Sequence, residues 1–424
     1  MLDFTGDLSI IALRKSLQRH VVKTSFRSLF SIFLSLSILL AGHGLQQTLL
    51  PLAAQSLGWS PAEIGLTGSA YFIGFLLGCF CVPLLIRRVG HIRVFAVCSA
   101  LAVVAILAVQ SWQVMPIWIV ARAFTGLSFA GLYMVLESWL NERSPVESRG
   151  RVLSFYGFLS LAAMSVGQLL VFDASLVSGA SLVAVLFCLA IVPVALTTSP
   201  QPEVPSEVNL SFGLAYRASQ VGPILAGVSG FVMGLVWSNG AVYASTIEPN
   251  LGARFIMATL MGGLVCQLPI GRLSDRVDRR WVLLGLCIVA CIAIAATLFV
   301  GLSEVSLCAL GFVLGATAMP MYSLAIAHAN DNADGRYLVI ASAMLVANGI
   351  GATIGPMIYG GLNALGVTSV YFLVIGVAYF LGAIWTASRL AIRDSDRDYF
   401  DPYQLLPKTT QGVADIDPRN VDPE

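Results

Sequence analysis

The apolar positions of this chain run on without interruption for helix lengths. Twelve continuous stretches stand out. In the first half they are Leu29–Ala53, Ile64–Leu85, Val94–Val109, Ile117–Leu140, Val152–Phe172 and Val177–Leu196. The second half has Val221–Ala244, Phe255–Ile270, Trp281–Gly301, Leu307–Ala329, Leu338–Leu362 and Val370–Ser388. A bilayer core takes about 20 mostly apolar residues per helix, so the pattern predicts twelve transmembrane helices. An outer-membrane barrel would show alternating segments of about 10 residues instead. The first stretch lies behind a long amino-terminal arm and exceeds the apolar core of a cleaved signal peptide, so it counts as a helix.

The polar interruptions orient these helices. Of 24 Lys and Arg, 22 fall in the arm, the tail and the segments after the even-numbered stretches; Arg122 and Arg254 are the others. By the positive-inside rule both termini are cytoplasmic. A Pro- and Ser-rich segment from Ser199 to Glu207 divides the chain. The expected organisation is an arm (1–28), a six-helix bundle (29–196), a linker (197–220), a second six-helix bundle (221–388) and an acidic tail (389–424). Gly150-Arg151 answers Gly335-Arg336, and Arg88 answers Arg276, at offsets of 185 and 188. Two parallel repeats suit a transporter that rocks about a central site. In the arm, Ile10, Leu13, Leu17 and Val21 oppose Arg14, Lys15, Arg19 and Lys23, which reads as a basic amphipathic helix on the inner leaflet. The tail has little periodicity and reads as disordered.

Composition narrows the class. Hydrophobic residues make up 57% and charged residues 11% of 424, with a mean hydropathy of +0.83, far from the roughly 25% charge of soluble domains. A soluble enzyme is excluded, and a net charge of +1 gives no reason to expect a nucleic-acid partner. All eight cysteines lie in apolar stretches without a C-x-x-C pair, so they read as core residues, and neither a metal nor another cofactor is expected.

After the eighth stretch the chain reads Gly271-Arg272-Leu273-Ser274-Asp275-Arg276-Val277-Asp278-Arg279-Arg280. This resembles the loop signature G-x-x-x-D-R-x-G-R-R of the major facilitator superfamily, with Asp278 in place of the second Gly. The first-half loop keeps Arg88 and Gly90 but has Pro83 and Arg87 where the family has Gly and an acid. Arg122 to Gly126 resembles the R-x-x-x-G core seen in many proton-linked exporters of that family. The glycines of the eleventh stretch, around Gly355-Pro356, resemble an exporter motif only faintly. The resemblance implies an all-α membrane protein of twelve transmembrane helices in two six-helix bundles, near the drug/metabolite proton-antiporter branches. It also implies a gate: Asp275 pairs with Arg276 or a neighbouring Arg, with Arg88 as the first-half counterpart. Glu137, near the inner end of its helix, is expected to meet Arg149, Arg151, Arg272 or Arg276.

Polar groups inside a membrane helix should face the bundle interior. His43, Gln46 and Gln47 lie about 9 to 15 Å from the external end of the first helix, the depth of Arg122. The resemblance implies that the first, fourth, seventh and tenth helices line a cavity, which makes these four side chains cavity candidates. Trp237 and Asn239, beside a helix-loosening Gly240, and Tyr322, beside Met319 and Met321, complete the set. The bland alternatives are structural hydrogen bonding for the polar groups and ordinary packing for the aromatic ones.

No phosphate-binding G-x-x-x-x-G-K-[ST] occurs, so ATP does not drive this protein. The expected function is secondary active transport of a small organic solute by alternating access across the bacterial inner membrane, coupled to protons. His43 is the midmembrane group that titrates near neutrality when unperturbed. Facilitated diffusion or organic-anion uptake, with Arg122 awaiting a carboxylate or phosphate, is the alternative within transport. A non-transporting receptor or scaffold is the alternative outside it, and scattered histidines argue against a membrane enzyme. Expected partners are the solute, protons and anionic lipids at the cytoplasmic face, with the protein acting as a monomer.

Overall fold

Ser60 begins the first membrane hairpin that can be followed end to end. Its side chain and that of Glu63 cap each other's backbone, and Pro61 supplies a pre-set first turn. Helix α2 (Pro61–Val89) then runs to Gly90, whose φ of 84° turns the chain directly into α3 (His91–Ser111). The computed structural model describes residues 5–144, 149–171, 175–196, 202, 210–332, 336–367 and 370–392, with backbone alone for 5–28, 149, 150, 338 and 392. Around the hairpin stand α1 (Thr5–Ser56), α4 (Met115–Arg143), α5 (Arg149–Leu169) and α6 (Leu176–Ala195). After the short α7 (Phe212–Ala218) come α8 (Gly222–Ile247), α9 (Leu251–Ser274) and α10 (Arg279–Val300). The chain continues through α11 (Glu304–Asn330), α12 (Tyr337–Ala364) and α13 (Tyr371–Ile392). All but α7 contain a stretch long and apolar enough to span a membrane, twelve in total. No strand occurs among the described residues.

Three local features differ from a row of plain spans, and each has a cause. The arm continues into the first span as one helix from Thr5; the side chains of its amphipathic pattern lie outside the described residues, as do most of the linker and the tail beyond 392. Helix α6 breaks at Ala190, because Pro193 cannot donate to Leu189 and its ring crowds that carbonyl. Within α8 the chain widens to a single π turn over Val236–Gly240, the segment where Gly240 was expected to loosen the helix. Such turns occur frequently at functional sites.

Glycines set the spacing of the bundle and repeat between its halves. A Cβ on Gly74 would lie 1.9 Å from the Ala123 carbonyl, and one on Gly126 would lie 1.9 Å from that of Tyr71, so α2 and α4 touch backbone to backbone. The same reciprocal contact joins α9 and α11, where Gly262 faces Phe312 at 1.9 Å and Gly315 faces Thr259 at 1.8 Å. These partners lie 188 and 189 positions downstream of the first pair, the offset already seen in the loops. A second repeated pair joins α1 to α5 through Gly44 and Gly167, and α8 to α12 through Gly230 and Gly351. Two hydrophobic cores follow this division: one drawn mainly from the first six spans, the other from the last six.

The halves meet most closely along α2 and α12. Gly360 packs on Ala62, Gly65 packs on Pro356, and Ser69 Oγ donates to the Thr353 carbonyl at 2.8 Å. At the Pro61 end, Asn239 Nδ2 reaches across to the Pro61 carbonyl at 3.0 Å.

Candidate functional site

A cavity of about 180 Å³ lies between the halves at the middle of the bundle. Its polar wall consists of His43 and Gln47 (α1), Tyr71 (α2), Tyr133 (α4), Ser160 (α5), Gln267 (α9) and Asn348 (α12). Phe72, Phe75 and Trp237 give it aromatic surface, and Met164, Met233 and Met319 give it adaptable apolar surface. No Asp or Glu lines it.

Of the predicted cavity residues, His43, Gln47 and Trp237 line this space. Gln46 does not: it is buried beside His43, turned about 100° from Gln47 on the helix. Asn239 is drawn off by the π turn toward Pro61. Tyr322 is buried in the core of the first half, within electrostatic reach of Cys79 and Glu137.

Arg122 stands one layer behind the wall. Its Nη2 donates to Gln47 Oε1 at 2.8 Å, and its guanidinium sits 4.7 Å from the centre of the Tyr71 ring. Tyr71 also links to His43, whose Nε2 lies 3.3 Å from the tyrosine oxygen. The His43 ring stacks on Phe129 with centroids 3.9 Å apart. The expected proximity of His43 and Arg122 is therefore realised through a shared tyrosine. His43 Nδ1 and Arg122 Nη1 have no hydrogen-bond partner among the described residues.

The polar wall residues that sequence reasoning missed are Tyr71, Tyr133, Ser160, Gln267 and Asn348. Gln267 and Asn348 were open to discovery as amides interrupting apolar stretches, on helices that the family-based expectation did not place at the cavity.

At the charged end of the second half, Asp275 accepts from a neighbouring arginine, Arg279, whose Nη1 lies 3.3 Å away, while Arg276, the other partner considered, is exposed, as is Arg88. Arg279 is the buried cation: its Nε donates to Asp331 Oδ2 at 2.9 Å and its Nη1 to Ser274 Oγ at 3.1 Å. These pairs tie α9, α10 and α11 together within one half. Asp278 explains the departure from the family signature, because it caps α10 by accepting from the Arg280 backbone and pairs with the Arg280 side chain at 2.6 Å. Burial works to raise the Asp278 pKa; the hydrogen bonds and charge of Arg280 outweigh it and hold the carboxyl below its usual range. Glu137 lies fully buried rather than at the rim, with Tyr156 donating to its Oε1 at 2.8 Å; Arg151, Arg272 and Arg276 are exposed, and the side chain of Arg149 lies outside the described residues. The cause is that α4 continues past Glu137 to Arg143 and α5 covers it.

Comparison with known proteins places this architecture. The family model of the Major Facilitator Superfamily matches residues 32–245 and 224–408. An MFS-type transporter of uncharacterised function, YcaD from Escherichia coli O45:K1, is 26% identical over 371 residues, 85% of this chain and 95% of the relative. Its counterpart in Salmonella arizonae is 27% identical over 344 residues, 79% of this chain and 88% of the relative. The crystal structure of the nucleoside transporter NupG superposes with a TM-score of 0.67 at 14% identity, covering 86% of this chain and 98% of that one. The fucose transporter FucP, in an outward conformation, gives 0.56 at 14% identity over 85% and 98% of the two chains. At such identities the two structures speak for the fold. With the family model spanning nearly all of both bundles, the chain belongs to the major facilitator superfamily, as a multi-pass inner-membrane transporter and not an enzyme.

Proposed function

We propose that the protein moves a small organic solute by alternating access, coupled to protons, with its two halves rocking about the cavity of His43, Gln47 and Trp237. The observation that carries this reading is that both halves build the wall. A solute held there touches both, so a relative rotation of the halves transfers it from one side to the other. Two fold neighbours carry small organic solutes: NupG is a nucleoside transporter and FucP a fucose:proton symporter. The Arg279 end is cytoplasmic, as are both termini, because nearly all basic residues gather on that side. There the exposed Arg88 and Arg276 meet anionic lipid headgroups, while Asp275 acts in gating through Arg279. Buried Glu137, held by Tyr156, steadies the inner end of α4 against α5.

His43 carries the proton, since it is a cavity-lining group that titrates near neutrality when unperturbed. A pH gradient of one unit is worth about 1.4 kcal/mol per proton, close to tenfold accumulation. Purified protein in proteoliposomes, given labelled sugars, nucleosides, organic acids and amphipathic cations, should accumulate one class when the gradient is imposed. His43→Ala should retain solute exchange but lose about tenfold accumulation. Accumulation by His43→Ala equal to that of the parent would remove the proton from this site.

A further inference from the structure

The cavity wall conceals a charge that nothing among the described residues balances. Arg122 is 6% exposed, and a guanidinium stays protonated in proteins. Its hydrogen-bond partner is Gln47 and its ring contact is Tyr71, both uncharged, and its Nη1 is unpartnered among the described residues. Of the two carboxylates on the same helix, Glu142 is exposed at its far end, and Glu137, the nearer, is 15 residues away, about 22 Å along the axis, and is held by Tyr156. Buried charges are ordinarily paired, since taking one out of water without a counter-charge is costly.

Both neighbours that cover Arg122 face the cavity. If Gln47 turns to another rotamer, the guanidinium opens onto the space where the solute sits. Resting on the transport reading above, we propose that the solute is an organic anion whose carboxylate takes the place of the Gln47 amide on Arg122. A carboxylate accepts from a guanidinium in two parallel bonds, and the charge-assisted pair is stronger than the amide contact it replaces. The rest of the cavity suits the body of such a molecule. Phe72, Phe75 and Trp237 offer ring faces, and Gln267 and Asn348 on the opposite half offer amides for one polar substituent. A volume of about 180 Å³ fits a solute built around one ring. An organic cation meets uncompensated repulsion here, and a neutral solute leaves the arginine as unbalanced as it found it.

Thermal unfolding of the detergent-purified protein tests this apart from transport, using the near-isosteric probes phenylacetate, phenylacetamide and 2-phenylethylamine. Phenylacetate should raise Tm with at least tenfold higher apparent affinity than the amide, and the amine should have no effect. Arg122→Gln should bind acid and amide alike, and without any probe it should unfold no earlier than the parent, because an unpaired charge has gone. Arg122→Lys should retain a weaker preference for the acid. A lower Tm of unliganded Arg122→Gln would make the guanidinium a structural brace and overturn the proposal, as would amide or amine binding equal to the acid, or no shift with phenylacetate. Flux of sugars or nucleosides alongside such a result would leave transport standing and the anion assignment refuted. Acid binding without flux of any solute would do the reverse.

Discussion

Substituting alanine for Gly126 is expected to destabilise the protein by about 3 kcal/mol, the upper end of what overpacking by a single methyl costs. The new Cβ would stand 1.9 Å from the Tyr71 carbonyl oxygen and 2.8 Å from the Phe75 amide nitrogen. Both are backbone atoms of α2, so no rotamer change relieves the clash, and α2 must move away from α4 as a rod. Gly74 makes the converse contact one helix turn away, so the shift would loosen that contact too. Function should suffer along with stability, since Tyr71 joins His43 to Arg122. Gly285→Ala is the matched control. It lies within α10 with nothing inside 4 Å of an added Cβ, and the helix should gain up to about 1 kcal/mol. Equal Tm values for the two variants, measured in one detergent, would mean that the α2–α4 contact does not set the packing.

Asp331→Ala should be as damaging or more so. Arg279 has no solvent-exposed side-chain surface, and Asp331, at 2.9 Å, is nearly as buried. Removing one partner of a buried pair costs about 3–5 kcal/mol, because the remaining charge stays in a poor dielectric. Asp275→Ala should cost clearly less. Its carboxylate is 27% exposed and its contact with Arg279 is longer, at 3.3 Å, so water replaces part of what is lost. Replacing both members, Arg279→Met with Asp331→Leu, should recover most of the stability, since apolar residues of similar volume commonly substitute well for a buried pair. A double variant as unstable as Asp331→Ala alone would show that the damage is not the orphaned charge.

The fold was legible because membrane helices announce themselves by uninterrupted apolar length, and because loop charge and the Gly-Arg repeats report the two halves. What could not be read was azimuth. His43, Gln46 and Gln47 were correctly placed in depth, but whether an individual side chain meets the cavity depends on helix rotation, and that excludes Gln46 while admitting Gln47. Arg122 illustrates a different gap: a buried arginine on a membrane helix marks a site, but its standing one layer behind Gln47 depends on side-chain length and packing. Near Asp275 the sequence left the partner open between Arg276 and a neighbouring Arg; the structure gives it Arg279, four residues on, at the start of the helix that Asp278 caps. Asp331, 52 residues from Arg279, is joined to it only by the packing of α11 on α10.

In the proposed transport cycle, solute crosses because the halves part and close around one cavity. Ser69 Oγ donates to the Thr353 carbonyl at 2.8 Å across α2 and α12, where the two halves meet. Ser69→Cys and Thr353→Cys, introduced where the eight native cysteines have been replaced, can be joined by a short thiol cross-linker. Solute flux in proteoliposomes should then fall to background and return when a reducible cross-linker is cleaved. Flux through the cross-linked protein at the rate of the uncross-linked one would contradict alternating access at this interface.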